Sequence, residues 1–136
     1  MKIYFAGSIR GGRHDVDLYL QMIDHLKQHG EVLTEHVGDK NLKVFDEDGI
    51  TDGHIHDRDL KWILSSDILI AEVSTPSLGV GYEIGRAVEN NKRVLCLYHP
   101  QAVKMVSAMI AGCPKITLAE YRDIDEAKKI IDKFLK

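Results

Sequence analysis

Short apolar runs alternate along the chain with stretches whose apolar residues recur every three to four positions. The runs are "KIYFAG" at 2–7, "EVLTEHV" at 31–37, "DILIAEV" at 67–73, "RVLCLYH" at 93–99 and "KITLAEY" at 115–121, each of strand length. Between them the helical period predicts helices from about Asp15 to His29, His54 to Ser65, Leu78 to Asn90 and Val103 to Ala111, and a last one from Ile124. Five strands alternating with helices predict an α/β fold: a flavodoxin/Rossmann-like three-layer sandwich, with helices on both faces of a five-stranded, mainly parallel sheet. Ligands of such sheets bind outside the carboxyl ends of the strands, where strand order reverses. The residues that follow each strand therefore carry the functional argument. One connection, 38–53, is long, polar and rich in Gly and Asp, a length typical of lids or disordered segments.

Composition narrows the ligand. The 136 residues fit one domain, 1–136, long enough to bury a core. Lys and Arg number 18 against 21 Asp and Glu, a formal net charge of -3. That balance lacks the basic excess that drives non-specific nucleic-acid binding, so an anionic ligand should be small and held locally. The start, "MKIYFAGSIRGG", turns polar too soon for a secretory segment, and no apolar run approaches the roughly 20 residues of a membrane span. A cytoplasmic location is expected, with Cys96 and Cys113 as buried, reduced thiols.

"FAGSIRGGR" at 5–13 puts Gly7, Ser8, Arg10, Gly11 and Gly12 at the carboxyl end of the first strand, ahead of the first helix. Glycines let backbone N–H groups approach an anion, Ser8 can donate a hydroxyl, Arg10 brings a charged fork and the helix start adds partial positive charge. The pattern fits neither GxGxxG nor the P-loop, so a plain Gly-rich turn is the competing reading.

"STPSLGVGYEIGRAV" at 74–88 places Glu83 among small and apolar residues. Pro76 and Ser77 read as a helix start, and Gly79, Gly81 and Gly85 thin the helix surface at a cost of roughly 1 kcal/mol each, which implies a close approach. Val80, Ile84, Ala87 and Val88 form the core stripe, and Glu83 lies off it. The bland reading of Glu83 is a first-turn acid favoured by the helix dipole. Glu72 is a rival acid, unless its side chain points to the strand's far face.

In "HIHDRDLKWILSS" at 54–66, Asp59 falls on the stripe of Ile55, Trp62 and Ile63, so burial should make it a proton donor, while Asp57 and Arg58 read as solvated face. The alternative is an Asp59 that bonds the backbone or pairs with Arg58 or Arg86. His54 and His56 lie on different sides of a helix, and no metal and no cofactor are expected. Two carboxylates and an anion loop at one sheet edge point to cleavage of a nucleotide's glycosidic bond: one carboxylate attacks the anomeric carbon, and an acid protonates the departing group.

At these residues the sequence resembles the 2'-deoxynucleoside 5'-phosphate N-hydrolases (Rcl) of the nucleoside 2-deoxyribosyltransferase superfamily. The resemblance runs through "YFAGSIRGGR", "LTEHV", "IHDRDLKWI", "AEVSTPSLGVGYEIGRAV", "RVLCLY" and "SAMIAG", in that order. It implies an enzyme that cleaves deoxynucleoside monophosphates to free base and 2-deoxyribose 5-phosphate. It further implies Glu83 as nucleophile, Asp59 as the acid that assists the leaving base, and Tyr4 as a third active-site residue; Tyr4 alone would read as a strand aromatic. Gly7, Ser8, Ile9, Arg10, Gly11, Ser77 and Gly79 would surround the nucleotide, with Ser77 and the first loop on the phosphate. Ser107 would reach the phosphate in the neighbouring subunit of a homodimer, and His36 would lie near the base. Ala6 stands where the mammalian members have Cys.

The competing enzyme is a ribonucleotide hydrolase, similar to the CMP and hydroxymethyl-CMP N-glycosidases. A transferase acting on free nucleosides would leave "GSIRGG" with no phosphate to hold. A nucleotide sensor or flavodoxin-like binding module, in which Glu83 only recognises a sugar hydroxyl, is the reading from another class.

Overall fold

The computed structural model describes residues 1–9, 15–38, 51–100 and 105–136. Its elements run β1 (Lys2–Ala6), α1 (Val16–Leu26), β2 (Glu31–Val32), a 3-10 turn (Glu35–Gly38), α2 (Asp52–Ser65), β3 (Ile68–Glu72), α3 (Leu78–Glu89), β4 (Arg93–Tyr98), α4 (Ala108–Ala111), β5 (Ile116–Glu120) and α5 (Ile124–Leu135). The strands pair in the order β2-β1-β3-β4-β5, and every pair is parallel. The chain steps from β1 outward to β2 and returns to place β3 on the other side of β1. That reversal opens a crevice beyond Ala6 and Glu72.

Alternation along the strands sends side chains to two cores. Ile3, Phe5, Ile70, Leu95 and Leu97 pack under α1 and α5, whose Tyr19, Met22, Ile23 and Ile131 are buried there. Tyr4, Ala6, Leu69, Ala71, Val94 and Cys96 face the opposite way, against Ile63 of α2 and Val80, Ile84 and Ala87 of α3. Every residue of β3 is buried, as a central strand covered on both faces requires. Burial pushes the Cys96 thiol up to about 12, whereas Cys113 is partly exposed, against the expectation of two buried thiols.

Local chemistry explains the helix starts. Oγ1 of Thr51 accepts from the His54 N–H at 3.2 Å and begins α2 two residues ahead of the expected His54. Ser77 caps α3, accepting from Val80 N–H at 3.3 Å, and Asp123 caps α5, accepting from Glu126 N–H at 2.9 Å.

Three sequence expectations are corrected. The run "EVLTEHV" is strand only at Glu31–Val32. Thr34 ends the ladder: its hydroxyl accepts from Phe5 N–H at 2.8 Å and donates to Phe5 C=O at 2.7 Å, so a side chain satisfies β1 and the backbone turns away. Helix α1 stops at Leu26, and Lys27 to His29 form a turn. Of the expected helix from Val103 to Ala111, only Ala108–Ala111 is helical among the described residues; 103 and 104 lie outside them, as do 39–50 of the long connection.

Candidate active site

A cavity of about 640 Å³ lies at the crevice between β1 and β3. Gly7 and Ile9 reach it from the loop after β1, Asp59 from α2, and Ser77, Gly79 and Glu83 from the start of α3. Six of the expected site residues thus come together from three segments distant in sequence.

Glu83 stands in the second turn of α3, and the first turn contains no acid, so the first-turn dipole reading is removed. Its partner is Tyr4. The Tyr4 ring is buried in the sheet, and its side chain hydrogen-bonds that of Glu83. Burial first, then the charges of Glu83 and Asp59, hold the Tyr4 phenol far above its ordinary range, with Arg58 opposing. Tyr4 therefore stays a neutral donor aimed at the Glu83 carboxylate. On the cavity side, a Cβ built on Gly79 would lie 3.9 Å from both Oε1 of Glu83 and Oγ of Ser77, so the glycine leaves the approach to the carboxylate open. Gly81 and Gly85 face open space with nothing within 4 Å of a built Cβ; within this chain they serve no close approach, contrary to the sequence argument.

Asp59 is half-buried in the cavity wall. Arg58, read from sequence as solvated, is instead largely buried: its Nε donates to Oδ1 of Asp59 at 2.9 Å, and its NH2 lies 2.9 Å from the same oxygen. The side chains are 20% and 21% exposed, which removes Arg58 from the solvated face and leaves only Asp57 there, at 84%. Stacking explains the burial, because the Arg58 guanidinium sits 4.7 Å over the Trp62 ring. His36 joins this group, 3.5 Å from Arg58 NH2 and 5.9 Å from Trp62 between ring centroids. Pairing of Asp59 with Arg58, an open alternative in the sequence, is the arrangement observed.

The remaining expected residues sit differently. Ser8 is fully buried, with its backbone N–H donating to the Tyr19 hydroxyl at 3.1 Å, and it does not line the cavity. A Cβ on Gly7 would come within 2.9 Å of the Tyr19 ring, so packing on Tyr19 demands a glycine there whatever the ligand. Arg10, Gly11 and Gly12 lie outside the described residues. Ser107 is exposed, caps α4 by accepting from Met109 N–H at 3.3 Å, and is not in the cavity wall.

Glu72, the rival acid, is fully buried on the α1/α5 side. Ser74 N–H donates to its Oε1 at 2.6 Å, the Ser74 hydroxyl to Oε2 at 2.9 Å, and the Tyr121 hydroxyl bonds the same oxygen. Burial raises its carboxyl above the ordinary range. It holds the connection leading to Ser77 but does not face the cavity.

Sequence reasoning missed His56 and Tyr82 at the cavity mouth, where His56 Nε2 is 2.9 Å from the Tyr82 hydroxyl. The signal was present, since Asp52, His56, Asp59 and Ile63 follow one helical stripe. Two clusters of histidine and carboxylate converge among the described residues, Asp15–Glu72–His99 and His25–His29–Asp132, and neither lines the cavity.

The family model described as nucleoside 2-deoxyribosyltransferase matches residues 3–127. A 5-hydroxymethyl-dUMP N-hydrolase from Danio rerio is 49% identical over 100% of this chain and 96% of its own length. The Homo sapiens protein of that name is 44% identical over 98% of this chain and 79% of its own. A Nematostella vectensis protein, provisionally named 2'-deoxynucleoside 5'-phosphate N-hydrolase 1, is 52% identical over 98% and 93%. Among solved structures, a CMP N-glycosidase from Clostridium botulinum superposes with a TM-score of 0.67 at 16% identity over 98% of this chain and 99% of its own, a likeness of fold. A designed Rossmann 2x3 protein gives 0.54 at 14% identity over 98% and 87%.

Proposed function

The chain belongs to the nucleoside 2-deoxyribosyltransferase family, and from that premise we propose that it hydrolyses the N-glycosidic bond of 2'-deoxynucleoside 5'-monophosphates, 5-hydroxymethyl-dUMP among them. The observation that carries the reading is the Glu83 carboxylate at the cavity wall, hydrogen-bonded from beneath by Tyr4 and joined there by Asp59.

In this reading a Glu83 oxygen attacks C1' of the deoxyribose. The bond from C1' to the base nitrogen breaks, its electron pair leaves with the base, and Asp59 supplies the proton. The proton sits on Oδ2 of Asp59 in this step, because Arg58 already holds Oδ1 at 2.9 Å, and the same guanidinium stabilises the carboxylate left behind. Water next attacks C1' of the glycosyl ester, gives a proton to Asp59, and frees Glu83 and 2-deoxyribose 5-phosphate. The neutral Tyr4 hydroxyl orients the Glu83 carboxylate throughout. In this reading the phosphate is taken up at the start of α3, where Ser77 and the N-terminal backbone lie beside Gly7 and Ile9 of the loop after β1.

A homodimer in which Ser107 reaches the neighbour's phosphate belongs to the same proposal. Apolar exposure on the cavity side of α3 and beside Ser107 supports it: Leu78 is 97% exposed, Met105 85% and Met109 81%.

The test is release of free base, followed by chromatography, from 5-hydroxymethyl-dUMP and dGMP in parallel with CMP, GMP and deoxyguanosine. Release from the deoxynucleotides alone is the expected result. Release chiefly from CMP or GMP moves the protein to ribonucleotides, release from deoxyguanosine removes the phosphate site, and release from none leaves a binding module.

A further inference from the structure

On the sheet face away from the cavity, α1 and α5 pack side by side. His25 lies in the last turn of α1 and His29 in the turn that follows. Both present Nε2 to one oxygen of α5, Oδ1 of Asp132, at 2.6 and 2.8 Å. The imidazole rings meet edge to face, with centroids 5.4 Å apart. All three donor atoms lie within 4.8 Å of one another. His25 is 12% exposed, while His29 and Asp132, at 31% and 44%, leave a path from solvent.

We propose that His25, His29 and Asp132 bind a divalent transition-metal cation of the zinc type, which clasps the end of α1 to α5. The donor set is one that such ions favour over magnesium or calcium, because imidazole nitrogen suits zinc, cobalt, nickel and copper, whereas the hard ions take oxygen ligands. Zinc accepts imidazole nitrogen and carboxylate oxygen at about 2.0–2.2 Å, with three protein ligands and a water completing a tetrahedron. The same three side chains then exchange two shared hydrogen bonds for three coordinate bonds, and the elements that carry them already touch. Zinc here joins two helices and takes no part at the cavity. The sequence-based expectation of no metal rested on His54 and His56, and it did not weigh this cluster.

The experiment is calorimetric titration of the full chain with zinc chloride, alongside His29→Gln and Asp132→Asn, with thermal unfolding of each protein with and without zinc and circular dichroism to check folding. One zinc per chain is expected for the unaltered protein. A ligand that binds only the folded state and stands about 100-fold above its Kd raises Tm by about 5–10 °C in a chain of this size. Both the uptake and the shift should be lost in His29→Gln and in Asp132→Asn, and magnesium should not replace zinc. Absence of stoichiometric uptake overturns the proposal. So do uptake and a Tm shift that survive unchanged in His29→Gln, which would send the metal to another cluster such as Asp15–Glu72–His99.

Discussion

Glu72 and Glu83 end up on opposite faces of one sheet, and burial gives them different duties. Glu83 borders the cavity with a neutral phenol donating to it, as the proposed nucleophile would need. Glu72 is sealed under α1 and α5 with Ser74 and Tyr121 around it, and burial raises its carboxyl, so the folded state gives up this proton at a higher pH than the unfolded chain does. An acid whose folded value is raised contributes stability that is full below its unfolded value and is lost as pH rises through the folded one. Stability should thus decline as pH climbs above the ordinary carboxylate range. Glu72→Gln mimics the protonated acid: its oxygen can accept from Ser74 N–H and its amide can face the two hydroxyls. Denaturant unfolding across pH should show that slope flattened in Glu72→Gln, and an unchanged slope would remove Glu72 as its source. At this scale the placement of Glu83 and Asp59 beside the cavity was legible, because an acid amid glycines or on an apolar stripe is out of place by composition. Arg58 was misread although Trp62 lies four residues further along the same helix, within its reach by helical spacing; grouping it with its polar neighbour Asp57 left the stack on the ring unweighed. Tyr4 entered through the resemblance alone, since read by itself it is a strand aromatic; its place follows once alternation along β1 is joined to the position of α3.

Elements with strong local signals were found close to their true bounds. Helices α2, α3 and α5 start directly after the caps Thr51, Ser77 and Asp123, whose side chains accept from the first turn, and their apolar stripes have a clear period. Where tertiary contacts decide, the reading failed. Thr34 takes over the β1 ladder and cuts β2 short, an arrangement that needs Phe5 from a distant segment. The His25 and His29 spacing is visible in "HLKQH", but the third ligand comes from Asp132 near the other end of the chain, so only the packing of α5 on α1 reveals the cluster.

For the whole molecule, strand alternation gave the parallel sheet, and the reversal of order between β1 and β3 explains why residues from the loop after β1, from α2 and from the start of α3 converge at one edge. The proposed homodimer is tested at this scale. If Ser107 completes the neighbour's site, mixing Glu83→Gln with Ser107→Ala subunits should yield more base release than the two proteins give separately, because each mixed dimer regains one whole site. Simple addition of the separate rates would contradict a shared site.

The central claim is that Glu83 performs the chemistry, and the rate of base release from a deoxynucleoside monophosphate by Glu83→Gln tests it most directly. The substitution keeps the shape and removes the nucleophilic charge. Release should fall to the uncatalysed background, and release at a rate near that of the unaltered protein would contradict the account.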